Sequence, residues 1–178
     1  SSNAPAVLRW AFERGDKVLF FPDQHLGRNT GAAMGVPLDR MLLWNYNKPY
    51  GSLGGMTLEE LERAKVILWQ GHCSVHQRFR PEHVAAARAE HPDVEVIVHP
   101  ECAHDVVEIA DRVGSTERIQ EWVAAAPAGS TLAVGIATAF FLGLNIVILL
   151  QYFHLPLRYQ PYSLASLSQV MGIATSFF

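Results

Sequence analysis

Cysteine is scarce in this chain of 178 residues: there are two, Cys73 and Cys102, and neither belongs to a CxxC pair. Such spacing supplies neither a disulfide framework nor a self-contained zinc site, and it suits a reducing, cytoplasmic compartment. An excess of positive charge is also lacking. Lys plus Arg number 14 against 17 Asp plus Glu, and no basic stripe interleaved with aromatics appears, so nothing recommends a nucleic-acid partner. Gly27, Gly31 and Gly35 match neither a dinucleotide nor a P-loop fingerprint. The opening Ser1-Ser2-Asn3-Ala4 has no basic segment and no initiator Met. It reads as the interior of a longer protein rather than as a secretory leader.

What is present is an alternation of short apolar runs with helical segments. The length suits one domain with a proper core. Apolar runs at 18–21, 41–44, 66–69, 94–98 and 132–134 read as strands, of the kind buried on both faces of a parallel sheet. Between them, 4–13 carries apolar residues at helical spacing and ends at Gly15, Thr57 with Glu60 forms a capping box for a helix through Arg63, and Pro81 opens a helix over 81–90. Further helices are expected around 105–113 and 115–125. Strands separated by helices imply right-handed parallel crossovers, hence an α/β three-layer sandwich around a mostly parallel sheet.

In such a sheet the carboxyl ends of the strands share one edge, where ligands bind. Asp23-Gln24-His25, His72-Cys73 and His99-Pro100-Glu101 each follow a predicted strand, so they are expected to face a common crevice. For Cys73 three roles stand at this point: core packing, a nucleophile activated by His76 and the helix that follows, or a metal-cluster ligand. His99 and Glu101 flank one rigid proline and suit general acid–base work, or else they cap the next helix. Ser115 and Thr116 after Gly114 open a helix whose free N–H groups can hold an anion, or they serve as a plain N-cap. Cys102 reads as packing.

Taken in order, Ser1-Ser2-Asn3-Ala4, Phe21-Pro22-Asp23-Gln24-His25-Leu26-Gly27, Trp69-Gln70-Gly71-His72-Cys73-Ser74-Val75-His76, His99-Pro100-Glu101-Cys102 and Gly114-Ser115-Thr116 resemble the central domain of the quinolinate synthase family, over residues 1 to about 135. The resemblance implies three similar α/β domains around one cavity, each giving one cysteine to a [4Fe–4S] cluster with one open iron. It implies a transferase of NAD biosynthesis that condenses iminoaspartate with dihydroxyacetone phosphate to quinolinate. By the same resemblance Cys73 is the single cluster ligand of the three that this chain carries. Glu101 is the expected proton-transfer carboxylate, with His99 beside it, and Ser1, His76, His99, Pro100, Glu101 and Thr116 contact substrate.

The chain departs from the family in three places. The first domain, with its cysteine and its Tyr-Val-Asn loop, would precede Ser1, and the third domain is expected to be missing too. Where the family reads Gly-Thr-Glu after the last strand, this chain reads Gly135-Ile136-Ala137. Residues 136–178 therefore stand as an apolar, helical tail apart from the α/β domain of 1–135. Residues 131–150 carry no charge, which meets the length rule for a membrane helix, and 135–141 nearly recurs as 172–178. A membrane anchor and an unrelated or frame-shifted stretch are the two readings of this tail. A membrane-tethered α/β binding module with a structural Cys73 is the alternative function, and a fragment of this kind is expected to be inactive by itself.

Overall fold

A computed structural model describes residues 1–137. The apolar tail expected at 136–178, and the membrane helix with it, lie outside the described residues apart from Ile136 and Ala137. Among the described residues no helix is long and apolar enough to cross a membrane.

The elements run α1 (Ala4–Phe12), β1 (Val18–Phe20), α2 (Gln24–Ala33), β2 (Met41–Trp44), α3 (Leu58–Arg63), β3 (Val66–Trp69), α4 (Pro81–Glu90), β4 (Glu95–Val98), α5 (His104–Ile109), β5 (Arg112–Val113), α6 (Thr116–Ala125) and β6 (Leu132–Gly135). The α/β class and the parallel pairing are as expected. The strands, however, fall into two three-stranded sheets, ordered β1-β3-β2 and β5-β4-β6, and every pairing is parallel. In the first sheet β3 is central, paired on both sides, and the crossover through α4 leads to β4, the central strand of the second sheet.

Local chemistry sets the element ends. Thr57 and Glu60 form the expected capping box at α3, with the Glu60 N–H donating to Thr57 Oγ1 and the Thr57 N–H to Glu60 Oε2. Pro81 occupies the first turn of α4, where its missing N–H costs nothing. The helix expected over 105–113 stops at Ile109, and Arg112 and Val113 form a two-residue edge strand in its place. Two exposed residues, one of them charged, offer no strand periodicity to read.

Each sheet has its own apolar packing. Met41, Val66 and Leu68 are buried under the first, and Val84, Val94, Val96, Val98, Cys102 and Val106 cluster at the second. Helix α2 joins the halves, touching β2 and β3 as well as α5. Its close seat depends on Gly27, where a Cβ would come within 2.6 Å of Leu68 and Phe20.

Candidate functional site

The carboxyl ends of β1, β3 and β4 deliver the polar segments singled out by the sequence, and they meet although β4 belongs to the other sheet. A cavity of about 430 Å³ is lined by Asp23, Tyr46, Trp69, His72, Cys73 and Glu101, among others. Tyr46 and Trp69 stack at 5.2 Å and give it an aromatic wall.

Asp23 holds the first-sheet side together. Its Oδ1 accepts the Leu26 N–H at 2.7 Å and so caps α2, while its Oδ2 accepts the Cys73 N–H at 3.0 Å. The Gln24 N–H donates to the Gly71 carbonyl at 2.9 Å. The two loops approach so closely that a Cβ on Gly71 would lie 2.2 Å from the Pro22 carbonyl oxygen. Glycine is required there for the approach itself. Cys73 emerges from this junction partly exposed.

Further along the Cys73 loop, His76 reaches the second sheet, where it meets His99 at the end of β4; both are buried, with 2% and 5% of their surface exposed. Their rings stack face to face, 4.7 Å apart and 5° from parallel. Two cations in that arrangement would repel strongly. Burial, reinforced by His76, holds the His99 imidazole well below its ordinary value, at about 4. At neutral pH His99 is therefore neutral. Its Nδ1 accepts the Glu101 N–H at 3.3 Å, which leaves the proton on Nε2, 3.1 Å from Ser1 Oγ.

His76 is fixed as the other tautomer. Its Nε2 accepts the Ala137 N–H at 2.8 Å, so Nδ1 carries the proton, 3.1 Å from Glu101 Oε2. The contact is close but poorly aligned, and the buried Nδ1 lacks a well-directed hydrogen-bond partner. His76, and after it His99, hold the Glu101 carboxyl below the usual carboxylate range. One ligand atom each from Cys73, His76 and Glu101 lie within 4.8 Å of one another. No hydrogen bond joins His76 to the Cys73 thiol, so the base that a nucleophilic Cys73 requires is engaged elsewhere.

The structure thus brings together Cys73, His76, His99, Pro100 and Glu101, with Ser1 at the rim. Thr116 stands apart from that network. It is exposed as the first residue of α6, whose N-cap is Ser115. It follows Gly114, whose N–H donates to the Val98 carbonyl, so it shares the sheet edge of His99 at one strand's remove. Cys102 is packing, as expected. It is fully buried in the second core, its Sγ lies 3.7 Å from the Gly135 carbonyl, and burial pushes its thiol up to about 12.

Sequence inspection passed over Asn29. Buried on α2, it donates to the Pro100 and Cys102 carbonyls, both at 2.8 Å, and its Oδ1 lies 2.7 Å from His104 Nδ1. The signal was a polar residue between Gly27 and Gly31, two glycines at the i, i+4 spacing that marks a closely packed helix face.

The sequence profile described as Quinolinate synthetase A protein (NadA) matches residues 1–149. Over 135 residues the chain is 64% identical to the quinolinate synthase of Corynebacterium glutamicum, covering 76% of this chain and 34% of that protein. The quinolinate synthase of Rhodopirellula baltica is 53% identical over 136 residues, covering 76% and 34%. That of Halobacterium salinarum is 53% identical over 135 residues, covering 76% and 35%. The chain spans about a third of the length of the curated relatives it matches.

Proposed function

The chain belongs to the quinolinate synthase family, and from that membership we propose that residues 1–137 form part of the wall of a quinolinate-forming site. The reaction condenses iminoaspartate with dihydroxyacetone phosphate and releases phosphate and two waters. The observation that carries the proposal is the meeting of Cys73 with His76 and Glu101 at the ends of two different sheets.

Cys73 suits one thiolate ligand of a [4Fe–4S] cluster. It faces the cavity and is partly exposed, whereas Cys102 is sealed in the core with a thiol that resists ionisation. His76 is not set up as a ligand, because Nδ1 carries its proton for as long as Ala137 donates to Nε2. One thiolate does not hold a cluster, and the remaining ligands come from outside residues 1–137, whose other cysteine, Cys102, is buried. When bound, such a cluster with an open iron polarises a substrate oxygen as a Lewis acid.

The rest of the chemistry falls to side chains of this chain. Glu101, ionised at neutral pH, takes protons from carbon during condensation and cyclisation and returns them to departing hydroxyls. The His76 Nδ1–H steadies it in the charged form. His99, neutral under the same conditions, offers its Nε2–H to a substrate oxygen, in competition with Ser1 Oγ. Thr116 and the N-terminus of α6 lie where a carboxylate or phosphate can be held at the same sheet edge.

A chimera tests the assignment. The C. glutamicum enzyme, with the matching segment replaced by residues 1–135 of this chain, should take up iron and sulfide anaerobically and form quinolinate, while the isolated chain should form none. A folded chimera without cluster or product overturns the assignment. Turnover by the isolated chain overturns the requirement for three thiolates.

A further inference from the structure

We propose that Asn29 is a positioning residue that fixes where the Glu101 carboxylate stands relative to Cys73, an inference that rests on Glu101 being the proton-transfer group. Helix α2 is fastened to both halves of the site. At its N-cap, Asp23 Oδ2 accepts the Cys73 N–H at 3.0 Å. Six residues further on, about 9 Å along the axis at 1.5 Å per residue, Asn29 Nδ2 donates to the carbonyls of Pro100 and Cys102. These are the two carbonyls on either side of Glu101. The helix therefore acts as a spacer between the thiol loop of one sheet and the carboxylate loop of the other.

The orientation of the amide is determined by its partners. Reversed, Asn29 would set a carbonyl oxygen against two other carbonyl oxygens, so Nδ2 must face the loop and Oδ1 must face His104. The His104 Nδ1 at 2.7 Å then donates to Oδ1, and the His104 Nε2 lies on the far side of the ring, 3.4 Å from the Glu108 carboxylate. Inside the loop, the Cys102 N–H donates to the His99 carbonyl and the Glu101 N–H to His99 Nδ1. Those contacts shape the turn but do not tie it to the first sheet. Asn29, buried at 6% exposed, makes that tie through two hydrogen bonds.

Titration of the Glu101 carboxylate in the full chain, followed by carbon NMR, reads its position directly. In Asn29→Ala the midpoint should rise from its depressed position toward that of an ordinary glutamate, as Glu101 drifts from His76. Val66→Ala, which opens a cavity at the far end of β3, should lose stability without moving that midpoint. If Asn29→Ala does not fold, His104→Ala, which frees the amide from a partly exposed position, should give a smaller rise of the same sign. An unmoved midpoint in a folded Asn29 or His104 variant overturns the proposal, as does an equal rise in Val66→Ala. The titration reports position and not turnover, so it can fail while Glu101 remains the proton-transfer group.

Discussion

The two sheets present opposite kinds of chemistry at their carboxyl ends. The first ends in Cys73, a partly exposed thiol that shares its cavity with the stacked Tyr46 and Trp69, with its loop fastened by Asp23 and packed through Gly71. The second ends in the buried His99 and the partly buried Glu101, against which the first sheet's loop sets the His76 ring, stacked on His99 and beside the Glu101 carboxylate whose charge it favours. Two parallel three-stranded sheets of different strand order thus present a thiol at one edge and an imidazole with a carboxylate at the other. Shared α/β architecture therefore says little about what each edge does.

The sharpest contrast concerns the thiols. Iodoacetamide should label Cys73 in the native chain at least about 100-fold faster than Cys102, whose thiol is both buried and protonated. Mass spectrometry of the labelled protein would show this, and equal labelling would dissolve the distinction between the two edges.

The packing of the first edge is next. Gly71→Ala should cost about 1–3 kcal/mol in denaturant unfolding, because the added methyl meets a backbone carbonyl and not a flexible side chain. Asp23→Ala should cost about 1–2 kcal/mol through loss of the α2 cap and of the bond to Cys73. No change in either variant would mean that the loops of the first sheet are not joined as described.

The second edge should show itself in pH dependence. His99 binds its proton at about 4 when folded and near its ordinary 6.5 when unfolded, so between those values the unfolded chain holds more protons. Stability should thus fall as pH drops from about 6.5 to about 4, and the depressed Glu101 adds loss in the same direction as it protonates. His99→Gln should flatten the upper part of that slope in thermal melts taken across the range. An unchanged slope would place the titrating group elsewhere.

Much of this was legible in the sequence. Parallel strands followed by polar clusters brought Asp23, His72-Cys73 and His99-Pro100-Glu101 to one edge, because the direction of a strand end follows from crossover topology, and Asp23, His72, Cys73 and Glu101 do line one cavity. The division into two sheets was not legible. A buried apolar run such as Val66-Ile67-Leu68-Trp69 reads alike in any parallel sheet, and nothing in it names its neighbours. Asn29 escaped for a related reason: its three partners lie more than 70 positions away in the chain, at Pro100, Cys102 and His104. The fixed tautomers of His76 and His99 likewise depend on contacts with Ala137 and Glu101 that no spacing rule anticipates.

The central claim is that the two edges do separate work in one site. In the chimera that carries residues 1–135, cluster absorbance and quinolinate formation should be measured together for Cys73→Ser and Glu101→Gln. The account predicts that Cys73→Ser loses the cluster, whereas Glu101→Gln keeps it and forms quinolinate about 100-fold more slowly or worse. A cluster that survives Cys73→Ser, or a Glu101→Gln enzyme that turns over at the parental rate, would contradict it.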